Sequence, residues 1–313
     1  MEENEGKEKK KHTCKENIKT QQLWGVVLHP NFLCLLLMYL TIGSILILFG
    51  GVMLGVTLNI NDLELRYDDT CGSSSSCTVT FVPSETLKKP KVYYKISNFY
   101  GNHRKYVKSM DYSQLRADSS AAGSKCSPIK KNKDISSSLL AVDGTTTLDP
   151  NSDANPCGLR AKYIFTDSFV LTKTGGGTIA IDETKISHSI DRSSKFKHPS
   201  DYLTKQWKDT EDEHLMVWYQ VDAFSNFIKL WGKIDQNLEA GTNYTITITN
   251  SYLNQDINSK AVFFSETNFL GGKNLTLGIM YLVAGIVFIL FAVVAVFLEI
   301  IKQREQTKII KDY

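Results

Sequence analysis

Six histidines, six cysteines and 33 carboxylates are the side chains of this 313-residue chain with chemistry to offer. Their spacing organises little of it. Only His188 and His198 fall within about ten residues of each other, and no HExxH pair, nucleophile elbow or phosphate-binding loop is present. The glycines at 175–177 lack the lysine of a phosphate loop and read as a turn. TKTGG at 172–176 has Thr172 where a phosphorylated DKTGT motif requires aspartate. The acids of EDEH at 211–214 read as a solvated face. No catalytic residue, cofactor or metal site is therefore expected. Residues 59–274 carry 26 basic and 25 acidic side chains, a net charge of about +1, so no basic patch there argues for nucleic acid.

Cysteine and asparagine offer a different chemistry, that of an oxidising compartment. Cys14 and Cys34 lie near the N-terminus, whereas Cys71, Cys77, Cys126 and Cys157 share the middle of the chain. Four cysteines allow three connectivities, and nearest-neighbour pairing gives Cys71–Cys77 and Cys126–Cys157. Zinc usually wants CxxC-type spacing, which is absent. Two N-x-[ST] sequons, at Asn243 and Asn274, lie in the same segment as candidate glycosylation sites. Asn274 abuts an apolar run, close to where a bilayer would begin.

These groups must be positioned by a membrane architecture. Phe32 to Leu58 and Leu275 to Leu298 are runs of 27 and 24 residues without a charge. As helices they reach roughly 40 Å and 36 Å, against a hydrocarbon core of about 30 Å. The first starts too far from residue 1, and is too long, for an ordinary cleaved signal peptide. Six lysines precede the first run within residues 1–30, and Lys302, Arg304, Lys308 and Lys311 follow the second. By the positive-inside rule both tails, 1–30 and 299–313, are expected in the cytosol. The spans are then 31–58 and 275–298, and 59–274 faces the lumen or the cell exterior.

That middle segment is long enough for one domain with a real core. In NYTITITN, 243–250, Tyr244, Ile246 and Ile248 alternate with threonines, the pattern of a half-buried strand. Further strands are predicted in TVTFV (78–82), KVYYKISNFY (91–100), MVWYQV (216–221) and KAVFFSE (260–266), and a short helix in AFSNFIKLW (223–231). The sum is a mainly antiparallel, sandwich-like β domain with helical and loop excursions. Residues 117–155, rich in Ser, Asp, Gly, Asn and Thr, read as an excursion tied down by Cys126 and Cys157.

Neither span contains Asp, Glu, Lys, Arg or His, so neither offers an ion or proton relay. The first carries GVMLG, in which Gly51 and Gly55 form a small-xxx-small face that admits another helix. Glycine is also simply common in membrane helices, so the pattern can be read either way.

Several blocks, taken in order, resemble the cell-division-control-fifty and ligand-effect-modulator family, the accessory β-subunits of type IV P-type ATPases. They are KTQQLWGVVLHP (19–30), NFYGNHRKYVKS (98–109) with DYSQL (111–115), PCG (156–158) with FTDSF (165–169), KFKHP (195–199), VWYQVDAFSNFIKLWG (217–232) and FLGGKNLTLGIMYLVAG (269–285). The chain departs from the family at Thr166, where Asn often makes a sequon, and at Gln220, Ser225 and Ile228.

The resemblance implies a non-catalytic subunit of a phospholipid-flipping ATPase, or of an ATPase-like fusion protein. It would form a heterodimer with that partner, support its stability, endoplasmic-reticulum exit and lipid translocation, and reside in secretory-pathway or plasma membranes among their lipids. Expected partner contacts are Gln21, Gln22 and Trp24 in the tail, Gly51 and Gly55 in the first span, and Tyr100, Asn102, His103 and Arg104 in the ectodomain. Trp24 also suits an interfacial anchor. In the 98–109 block, Phe99, Tyr100 and Tyr106 can instead fill a core around a turn at Gly101. The rival is a two-span homo-oligomeric ligand-gated channel, which shares the topology. Such channels carry more ectodomain cysteines and polar residues along their pore. A cell-surface receptor is a weaker third reading.

Overall fold

The computed structural model describes residues 31–252 and 257–311. Two compact units divide the chain. One holds the two long helices, Phe32–Leu58 and Leu275–Lys311, both long and apolar enough to cross a membrane. Runs of Leu, Ile, Val and Phe leave a helix as the way to satisfy every backbone group in hydrocarbon. The second helix does not end with its apolar run at Leu298. It continues through Glu299, Lys302 and Arg304, which are good helix formers, with Thr307 Oγ1 donating to the Gln303 carbonyl.

The other unit is a β domain of two four-stranded antiparallel sheets. One has β1 (Asp62–Arg66), β8 (Ser259–Ser265), β3 (Lys91–Ser97) and β6 (Phe227–Lys233) side by side. The other has β2 (Ser76–Phe81), β7 (Tyr244–Thr249), β4 (Ser168–Lys173) and β5 (Thr178–Ile179). Alternation does what it should in β7, where Tyr244, Ile246 and Ile248 are buried. Aromatic rings close the core between the sheets. Phe81 meets Phe264 at 5.5 Å and Phe169 meets Trp231 edge-on at 5.1 Å.

Two expected elements exchange identities. The first half of MVWYQV lies in a helix, Glu213–Trp218, capped by the Asp212 side chain accepting from the His214 amide at 2.8 Å. Leu215, Met216, Val217 and Trp218 are buried in succession, which no one-sided strand would allow. AFSNFIKLW supplies β6 rather than a helix. Its apolar residues do fall at helical spacing, but antiparallel pairing of Ile96 with Phe227 and Tyr94 with Lys229 prevails. Lys229 then points inward. Its Nζ donates to the carbonyls of Val217 and Gln220 at 3.1 and 2.6 Å and pairs with Asp222 at 2.8 Å, so a cation caps the helix C-terminus. Burial pulls the Lys229 pKa below the ordinary value, while Asp222 opposes that shift.

Residues 117–155 hold two one-turn helical segments, Ser124–Cys126 and Asn132–Ile135, and otherwise loops. Buried Gln114 anchors them, donating to the carbonyls of Ser120 and Ala154 and accepting from the Cys157 amide at 3.0 Å. Cys126 is bonded to Cys157, and Cys71 to Cys77. The 175–177 glycines form the tip between β4 and β5.

Candidate partner interface

The span helices meet through glycines other than the GVMLG pair. A Cβ on Gly50 would stand 2.8 Å from the Leu282 amide nitrogen, and one on Gly285 2.9 Å from the Gly43 carbonyl oxygen. Both distances are impossible for a real side chain, so backbone rides on backbone. Tyr39 closes one end against Phe288 and Phe291 at 6.0 and 5.9 Å. Gly51 and Gly55 have nothing within 4 Å of the Cβ position. One residue is a rotation of about 100° on a helix, so Gly50 and Gly51 address different neighbours. Among the described residues, the chain's own packing uses the Gly43/Gly50 face and leaves the Gly51/Gly55 face bare.

In the β domain, the 98–109 and 217–232 blocks are built into one another. The Phe99 amide donates to the Ser225 carbonyl, the Asn98 amide to Asn226 Oδ1, and Asn102 Nδ2 to the Ala223 carbonyl at 2.8 Å. Phe99 is the core member, packed against Tyr106, Trp218 and Phe227. Tyr100, which the core-filling reading places beside it and the partner-contact reading places outside, is 63% exposed. The Phe99–Gly101 turn sends the two successive aromatics to opposite sides. His103 starts the helix Arg104–Lys108, and Asn102, His103 and Arg104 are all exposed. Phe224, 77% exposed on the strand-side loop, and Val221 join this rim. An exposed aromatic pair with amide, imidazole and guanidinium donors is the composition of a protein-binding surface.

Gln21, Gln22 and Trp24 lie outside the described residues. Asn243 is exposed at the entry to β7, and Asn274 is exposed directly before the second long helix. The EDEH acids are not all solvated. Glu213 accepts from the Lys185 and Ser187 amides and the Ser187 hydroxyl, each at 2.8 Å, and pairs with Arg192 at 3.2 Å.

Sequence reasoning passed over Gly43, Gly50 and Gly285, Phe224, and the buried ionic residues Lys260, Asp167 and Arg160. The three glycines fit no xxx-spaced pattern, being seven residues apart on one helix and single on the other. Asp167 lies within FTDSF, and nothing in that string marks its side chain as buried.

Residues 59–305 match the LEM3 (ligand-effect modulator 3) family / CDC50 family. The chain is 28% identical to ALA-interacting subunit 3 of Arabidopsis thaliana, over 85% of this chain and 80% of that one. It is 28% identical to cell cycle control protein 50A of Bos taurus, over 82% and 80%. It is 27% identical to the phospholipid-transporting ATPase accessory subunit CRF1 of Saccharomyces cerevisiae, over 74% and 61%. No channel is among these relatives, and the channel reading is set aside. With most of its length matched, from the end of the first span into the second helix, this chain belongs to the LEM3/CDC50 family.

Proposed function

We propose that this protein is a non-catalytic accessory subunit and chaperone of a phospholipid-flipping type IV P-type ATPase. The observation that carries the reading, within this family, is the Gly51/Gly55 face that stays uncovered after the chain's own spans have packed. Close helix approach at such a face suits a partner's transmembrane helix. The yeast relative's name supplies the partner class. The Tyr100–Arg104 rim with Phe224 gives a second, ectodomain contact, and the Gln21–Trp24 block a third. In this reading both tails are cytosolic and the β domain faces the lumen or cell exterior. The complex is a heterodimer in secretory-pathway or plasma membranes, and Asn243 and Asn274 are its glycan acceptors. Energy and transport path belong to the partner, because the spans carry no Asp, Glu, Lys, Arg or His.

Purification of the tagged protein in mild detergent, followed by mass spectrometry, tests this. A stoichiometric polytopic P-type ATPase is expected. Recovery only as a homo-oligomer contradicts the proposal.

A further inference from the structure

Arg160 is 3% exposed and has no carboxylate within ion-pair distance among the described residues. Its Nη1 donates to the Met110 sulfur at 2.9 Å, its Nε has no partner, and its Cζ stands 4.8 Å from the centre of the Tyr219 ring. The cation–π contact offsets only part of the cost of burying a guanidinium. Buried charges in proteins are ordinarily paired, so a guanidinium this buried and without a carboxylate is suited to receive an anion.

The place for that anion is a cavity of about 160 Å³ whose lining includes Met110, Tyr112, Arg160, Asp191, Lys195 and Tyr219. Tyr219 is also buried, and its hydroxyl has no hydrogen-bond partner among the described residues. Burial holds that hydroxyl well above its ordinary pKa although Arg160 opposes the shift, so it remains a donor. The nearby carboxylates are committed: Asp191 to Lys195 at 2.8 Å, and Asp222, beyond Arg160, to Lys229 at 2.8 Å. With two cations and one carboxylate in its lining, the cavity carries a net charge of about +1. Lys195 and Tyr112 are half exposed at its edge.

We propose that this cavity binds a small oxyanion of the phosphate class, with the Arg160 guanidinium and the Tyr219 hydroxyl as its donors. Arginine is suited to oxyanions by its planar fork of donors. The volume is below the usual range for drug-sized ligands, about 300–1,000 Å³, and fits one compact group. The phosphate can be a free ion or the phosphodiester of a lipid headgroup. Arg160 and Gln220 also line the neighbouring cleft with Gly101 and Val221, so the site adjoins the Tyr100–Arg104 rim, and it does not depend on the ATPase reading.

Thermal unfolding of the purified full-length chain, titrated with sodium phosphate at constant ionic strength against sodium chloride, reads the site directly. The midpoint should rise with the logarithm of phosphate concentration, as linkage requires. A parallel titration with glycerophosphoserine separates the sources: a response to inorganic phosphate alone assigns a free ion, and a response to the diester assigns a headgroup. Arg160→Met should abolish the response and leave the midpoint in chloride no lower than wild type, because an uncompensated charge is gone. Tyr219→Phe, which removes no existing hydrogen bond, should weaken binding about 2–10-fold. Equal wild-type midpoints in phosphate, diester and chloride overturn the proposal, as does an undiminished response in Arg160→Met.

Discussion

Lys260 and Asp167 join the two sheets of the β domain through a buried ion pair, Nζ to Oδ2 at 2.7 Å, with side-chain exposures of 7% and 0%. Lys260 belongs to β8 in one sheet, and Asp167 immediately precedes β4 in the other. Tyr67 Oη donates to the same carboxylate oxygen at 2.7 Å, the Tyr252 amide donates to the other, and Lys260 also reaches Asn250 and the Tyr252 carbonyl. Burial, then Asp167, pushes the Tyr67 phenol far above its ordinary pKa.

Removing one member of this pair leaves the other charged and buried. Lys260→Met or Asp167→Asn should each cost about 3–5 kcal/mol. The double replacement should cost less than the sum of the two. Denaturant unfolding of the four proteins checks this, and additive losses would show that the residues do not act as a pair.

The two bridges should differ in worth. Their sequence separations are 6 and 31 residues. Loop-closure entropy gives roughly 2 kcal/mol for Cys71–Cys77 and roughly 4 kcal/mol for Cys126–Cys157. Non-reducing peptide mapping should recover these two pairs, and Cys126→Ser/Cys157→Ser should lower secretory-pathway yield more than Cys71→Ser/Cys77→Ser. Crossed peptides would reject the pairing.

Glu213 gives the domain an acid-sensitive clamp. Burial raises its pKa, but hydrogen bonds from Ser187 and Lys185 and the charge of Arg192 outweigh that and hold it below the ordinary value. A depressed carboxylate contributes stability above its unfolded pKa, about 4.3, and loses it as pH falls through the folded value. Glu213→Gln should therefore destabilise the protein at pH 7 and flatten the decline below about pH 4.3. An unchanged pH profile would remove the clamp from the account.

Sequence pattern carried some levels of this structure and not others. The spans and the strand around 244–249 were legible because lipid and a half-buried sheet each impose a period on residue type. The helix at 213–218 and β6 depart from what their spacing predicts because both lie where long-range packing overrides it. Lys229, a cation on an inward strand position, makes sense only once the helix it caps is in place. In the candidate interface, Gly51 and Gly55 were visible as a motif, yet their availability depends on Gly43, Gly50 and Gly285 having taken the internal crossing. Tyr100 and Phe99 are neighbours of similar chemistry, and only the turn decides that one packs inside and the other is presented outward.

The two glycine faces should separate by mutation. Gly51→Leu/Gly55→Leu should leave the isolated protein folded and weaken co-purification with an ATPase partner. Gly50→Leu should disturb the chain itself, since its new side chain would collide with Leu282. Detergent-stable yield and partner recovery, measured on the same samples, distinguish the outcomes. Equal partner recovery from Gly51→Leu/Gly55→Leu and wild type would exclude that face as the contact.

The most direct test of the accessory-subunit account is reconstitution into proteoliposomes of the purified chain alone, and of the chain with its co-purified ATPase. Fluorescent-phospholipid translocation and ion current are measured in both. The account predicts ATP-dependent lipid translocation from the pair and neither activity from the chain alone. Translocation or current from the isolated chain would contradict it.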